Sequence, residues 1–112
     1  MKSPPPSART RLAFIMTLKP GHAAEYIRRH EAVWPDLVAV LKSHGASNYS
    51  IHHHAATGQL FGYVEVADVE RWRAIARTPE CRRWWAYMED IMVYNADHTP
   101  KAEALTEVYH LD

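Results

Sequence analysis

"NYSIHHHAATGQLFGYVEV", residues 48–66, decides the fold. The runs 48–54 and 60–66 alternate with the period of two expected of half-buried strands. The "AATGQ" between them carries Gly58, a residue suited to a tight turn. The pattern predicts an antiparallel hairpin, and its flanks decide what sheet it joins. Upstream, "RLAFIMTL" at 11–18 is short, apolar and closed by "KPG". It reads as a buried strand with Leu12, Phe14, Met16 and Leu18 on one face. From near Pro20 to about Ser43 the spacing is helical, and Gly45 is suited to a left-handed cap. Within that segment "EYIRRHEAVWPDL", 25–37, sets Tyr26, Ile27, His30, Val33, Trp34 and Leu37 at steps of three and four. Pro35 removes a backbone donor and disfavours helical geometry at Trp34, which predicts a kink or break there.

Downstream, "DVERWRAIART" at 68–78 opens on an Asp N-cap and reads as a short helix. Pro79 starts a second helical piece, "PECRRWWAYMEDIMV", with Cys81, Trp84, Trp85, Met88 and Met92 along one stripe. A loop over 94–104 leads to "LTEVYHL", 105–111, which alternates as a final strand. The order βαββαβ predicts an α+β, ferredoxin-like fold: an antiparallel sheet with helices on one face. The other sheet face then needs a cover. A second copy packed sheet to sheet, as in a dimeric α/β barrel, supplies one.

With 112 residues the chain fits one domain. Its first ten residues, "MKSPPPSART", bury too little apolar surface to offset the entropy of ordering. They read as a flexible extension over 1–10, ahead of a domain over 11–112. Thirteen basic and thirteen acidic residues give zero formal net charge, which argues against nucleic acid or an anionic membrane surface as partner. No apolar run approaches the roughly 20 residues of a membrane helix, and no secretory h-region is present, so a cytoplasmic protein is expected. The single Cys81 suits a reducing compartment and reads as a packing residue. Glycine-rich phosphate loops and G-x-S-x-G elbows are absent from the sequence.

His30 stands out because it titrates near neutral pH yet occupies an apolar stripe. Its ordinary explanation is a core histidine bonded to a backbone carbonyl. Tyr26, one turn earlier, shares its face, and Tyr49 on the hairpin can reach the same patch if the helix packs over the sheet. Core filling is the default for Trp84 and Trp85. Adjacent helix positions nevertheless point about 100° apart, so one ring is free to line a pocket, where its flat apolar face and N–H suit a sugar. His52 and His54 share one strand face with no nearby third ligand, so they read as a solvated strand end and no metal is assigned. Arg71, Arg73, Arg77, Arg82 and Arg83 lie near Glu70 and Glu80 and read as a solvated, ion-paired face.

Taken together, "AFIM", "EYIRRHEAVWPDL", "VLKSHGASNYSI", "RWWAYM" and "NADHTP" followed by "LTEVYHL" resemble the L-rhamnose mutarotase family from about Arg11 to Leu111. The resemblance implies a homodimer of ferredoxin-like subunits and an isomerase, free of cofactor and metal, that interconverts the α and β anomers of L-rhamnose. Carried over residue by residue, it implies His30 as general acid and Tyr26, Tyr49, Trp84 and Trp85 as sugar-binding residues. The histidines at 52–54 and Val93–Tyr94 depart from the family pattern, at positions able to alter the pocket rim. Two other readings share the fold or the residues. One is a cofactor-independent monooxygenase, the other a non-catalytic sugar-binding module in which His30 only hydrogen-bonds its ligand.

Overall fold

The computed structural model describes residues 9–112, so the expected extension over 1–10 lies outside the described residues except for Arg9 and Thr10. Strand β1 spans Thr10–Thr17, helix α1 Ala23–Glu31, α2 Pro35–Ser43, β2 Ala46–His54 and β3 Gln59–Val66. Helix α3, Val69–Arg73, runs into a 3₁₀ turn over Ala74–Arg77; α4, Pro79–Met88, into another over Glu89–Ile91; and β4 is Glu103–Leu105. The sheet order is β2-β3-β1-β4, with every neighbouring pair antiparallel. That is the ferredoxin-like arrangement expected from the βαββαβ order.

Several sequence signals take effect locally. Trp34 is the extended N-cap of α2, with φ −62° and ψ 132°, and Pro35 is its first residue, so the long helical segment is two helices. Asp68 caps α3 by accepting from the N–H groups of Glu70 and Arg71, and Thr78 caps α4 by accepting from Cys81 N–H. Gly45, at φ +87°, ends α2 in the left-handed conformation. Gly62 faces Phe14 across the β1–β3 pair, and a Cβ there would collide with the Phe14 ring. The ring lies over the glycine.

The two sheet faces differ. Leu60, Val64 and Val66 are fully buried beneath the helices, joined by Met16, Leu18, Leu37, Met88, Ile91 and Met92. Burial of side chains of this size stabilises the fold by about 1.5–3 kcal/mol each. The opposite face carries Ala13 and Ile15 of β1 opposite Tyr63 and Phe61 of β3, with Leu105 of β4 opposite Ala13. Among the described residues no helix covers that face.

Three expectations change. The final strand, expected over 105–111, is Glu103–Leu105. Its register, Leu105 opposite Ala13, brings Glu107 opposite Arg11, where the two form a bidentate ion pair at 2.7 and 3.0 Å. β1 begins at Thr10, one residue before Arg11, and past Glu107 the alternating segment is unpaired, with Val108, Tyr109 and Leu111 exposed. The helix expected from Pro20 starts at Ala23, because Gly21, at φ +83°, turns the chain first. Ile27 belongs to the exposed side of α1 and not to the apolar stripe. The break at Ala32–Trp34 interrupts the helical periodicity, so the spacing from Ile27 to Trp34 does not put them on one face.

Candidate active site

Helix α1 sets Tyr26 and His30 one turn apart, and their rings stack with centroids 4.2 Å apart and planes inclined by 29°. From α4, Trp84 meets the imidazole edge to face at 5.3 Å. Trp34, turned inward by the break before Pro35, meets Trp84 at 5.1 Å and 90°. Tyr87 closes the cluster, 5.2 Å from Trp34 and 5.6 Å from Trp84. The imidazole thus sits in an aromatic wall built from two elements of the first helical segment and one of the second.

Its polarity is fixed locally. Nδ1 of His30 lies 2.9 Å from the Tyr26 backbone oxygen, and a carbonyl can only accept, so Nδ1 carries the proton of the neutral ring. Nε2 is then a bare acceptor. It has no partner among the described residues, and no buried side-chain nitrogen or oxygen there lacks one, so Nε2 is not sealed off. Burial lowers the His30 pKa below 6.5, only partly offset by the bond to Tyr26. At neutral pH the ring is mainly neutral.

The other expected residues are placed as follows. Tyr26 is buried, and desolvation raises its hydroxyl far above the usual value, with further upward pushes from Tyr49 and Tyr94. Tyr49 follows a bulge in β2 where Asn48 takes φ +47°; its ring packs edge to face on Phe14 and Trp72 at 6.4 and 6.0 Å. Desolvation pushes the Tyr49 hydroxyl up to about 12, so both phenols stay protonated and serve as hydrogen-bonding groups. Trp84 is buried and touches His30, whereas Trp85 is half-buried against the core cluster that includes Tyr26 and Trp84. Tyr26, His30 and Trp84 are therefore in direct contact, whereas the ring contacts of Tyr49 are with Phe14 and Trp72.

The remaining candidates fall away from this cluster. His52 and His54 pair with Phe61 and Gln59 on the uncovered sheet face, all three histidines are exposed, and no three potential metal ligands gather among the described residues. Cys81 is buried, which pushes its thiol up to about 12. The arginines at 71, 73, 77, 82 and 83 are exposed, with Arg73 on Glu70 at 3.4 Å and Arg83 on Asp36 at 2.8 Å. A cleft of about 470 Å³ between the β1–α1 turn and the hairpin tip, lined by Leu18, Lys19, Gly21, Ala24, His53 and Thr57, includes none of the five candidate residues.

Three further residues support the cluster through contacts that the sequence does not reveal. Arg29, next to His30, joins α1 to the end of α4 by reaching Glu25 at 2.6 Å, the Tyr87 carbonyl at 2.7 Å and Asp90 at 2.9 Å, and it lies over the Tyr87 ring at 4.5 Å. Tyr94 donates to the Trp85 carbonyl at 2.7 Å. Trp34 was legible as a packing residue, but no periodicity points it at Trp84. The residue before a proline was the available signal.

An imidazole with one free nitrogen, set among tyrosines and tryptophans over a four-stranded antiparallel sheet, defines a ferredoxin-like α+β protein equipped for proton transfer to a bound ligand. The family model described as L-rhamnose mutarotase matches residues 11–111, and the chain belongs to that family. It is 56% identical over 102 residues to the L-rhamnose mutarotase of Opitutus terrae, covering 91% of this chain and 98% of the relative. Against that of Tolumonas auensis it is 52% identical over 101 residues, covering 90% and 97%. The crystal structure of an L-rhamnose mutarotase from Formosa agariphila superposes with a TM-score of 0.86 at 36% identity, covering 92% of this chain and 99% of that one. A Nitrosomonas europaea protein provisionally assigned as an antibiotic biosynthesis monooxygenase reaches a TM-score of 0.61 at 12% identity over 89% and 100%, a likeness of fold alone.

Proposed function

We propose that the chain is an isomerase that interconverts the α and β anomers of L-rhamnose, with Nε2 of His30 moving the proton. The observation that carries this reading is the free Nε2 in the aromatic wall, in a chain of this family. Opening the pyranose takes a proton from the anomeric hydroxyl, breaks the C1–O5 bond and delivers a proton to O5. Rotation about C1–C2 and closure on the other carbonyl face reverse these steps. Both oxygens are bonded to C1, so one nitrogen can serve both. Neutral Nε2 accepts the hydroxyl proton, and the resulting imidazolium gives it to the ring oxygen as general acid. The lowered pKa makes that imidazolium a ready donor. Tyr26 and Tyr49, held protonated, hydrogen-bond sugar hydroxyls, while Trp84 and Trp85 offer faces to its C–H groups and methyl. None of these steps calls for a cofactor.

The working unit in this reading is a homodimer in the cytoplasm, formed by the domain over 11–112. The uncovered face with Ala13, Ile15, Phe61, Tyr63 and Leu105 supports a second copy as its cover. Among the described residues no helix is long and apolar enough to cross a membrane. Saturation-transfer NMR on L-rhamnose tests the activity. Added protein is expected to accelerate exchange between the anomeric proton signals; binding without faster exchange would contradict the proposal and select a sugar-binding module.

A further inference from the structure

We propose that Tyr94 is a positioning residue: its hydroxyl holds the end of α4, and through it the Trp85 side chain, in the orientation that binds the sugar. The carbonyls of the last α4 turn, from Trp85 to Met88, lead directly into the 3₁₀ turn over Glu89–Ile91. Two of them receive side chains from elsewhere in the fold. Arg29 donates to the Tyr87 carbonyl at 2.7 Å, and Tyr94 donates to that of Trp85 at 2.7 Å.

Tyr94 itself is anchored on its other side. Met92 bridges to Leu18, Val93 N–H donates to the Thr17 carbonyl at 3.0 Å, and Tyr94 bridges to Pro100 across the turn that Asn95 N–H closes on Thr99 at 2.8 Å. The phenol is thus a strut between the end of β1 and the helix that carries both tryptophans. Its ring packs against the core cluster containing Tyr26, Trp84 and Met92. Burial raises its pKa far above neutrality, so the hydroxyl remains a donor throughout the working range.

The inference rests on the proposal that Trp85 contacts the sugar, and its test separates the two. Tyr94→Phe removes one oxygen and leaves the ring packing. Loss of one neutral hydrogen bond is expected to raise the KM for L-rhamnose by about 3- to 10-fold, with kcat and the pH profile unchanged. Trp85→Phe should raise KM on its own. In Tyr94→Phe/Trp85→Phe the two effects should fail to add, because Tyr94 acts through Trp85. A Trp85→Phe chain with unaltered KM overturns the site reading and the inference with it. If Trp85→Phe raises KM while Tyr94→Phe does not, or lowers only the melting temperature, Tyr94 is structural and the inference alone is overturned. Fully additive effects also overturn it.

Discussion

The imidazole of His30 stacks on the ring of Tyr26 at 4.2 Å while its Nδ1–H is tied to the backbone oxygen of that same tyrosine at 2.9 Å. Tyr26 thus sets the tautomer of the imidazole and, with Trp84, helps to bury it. The desolvation has a thermodynamic signature. A histidine whose folded pKa lies below its unfolded 6.5 binds fewer protons in the native state, so stability falls as pH drops through 6.5 to the lowered value and levels off beneath it. Thermal melts of the wild type and His30→Leu between pH 7.5 and pH 5 should therefore diverge, with the wild type losing more. His98, raised by its bond to Glu89, works in the opposite direction and is common to both proteins. Parallel melting curves would contradict the native desolvation of His30.

Trp84 is packed on His30 and Trp34 and is buried, so it serves both the core and the wall. Trp84→Ala should cost about 3–5 kcal/mol, measured by urea unfolding. Trp85→Ala, at a half-buried position, should cost less while still weakening binding of L-rhamnose. Equal stability losses would contradict this division between the rings.

Gly62 is needed because the Phe14 ring occupies the space of its missing Cβ. Gly62→Ala should destabilise by about 1–3 kcal/mol through overpacking, and Phe14→Leu in the same chain should recover part of the loss. An unchanged denaturation midpoint for Gly62→Ala would show that the ring can move aside at no cost.

Phe61 lies in the uncovered face, paired with Ile15 and His52. Phe61→Lys should shift a dimer to monomer in analytical ultracentrifugation while the far-ultraviolet circular dichroism of the subunit persists. A lysine variant that still sediments as a dimer would place the interface elsewhere.

Much of this arrangement is legible in the sequence, and the exceptions have physical reasons. Local signals read well: Pro35 splitting the helix, Asp68 capping α3, Pro79 opening α4 and Gly45 ending α2 all act within a few residues of themselves. His30 and Tyr26 are one turn apart, so helical spacing alone joins them. What escapes is set by tertiary register. The last strand stops at Leu105 although Thr10–Leu12 of β1 extend past its partner Ala13, which the alternation of residues 105–111 cannot reveal. Arg29 and Tyr94 act on carbonyls 58 and 9 residues away, respectively, on the far helix. A side chain that caps another element leaves no periodic mark at its own position.

If Nε2 of His30 carries the proton, His30→Leu should abolish that transfer without harming the fold. In an α-helix the Tyr26 carbonyl also receives the His30 backbone N–H, so leucine orphans no buried group. Leucine also suits the aromatic wall, so the variant should fold at least as well as the wild type. The measurement is the rate of L-rhamnose anomer exchange by saturation transfer, recorded across pH for both proteins. The variant is expected to lose at least about 10²-fold in rate, the lower end of what general acid–base catalysis contributes, together with the imidazole inflection of the wild-type profile. A well-folded His30→Leu protein that exchanges anomers at the wild-type rate would contradict the mechanism.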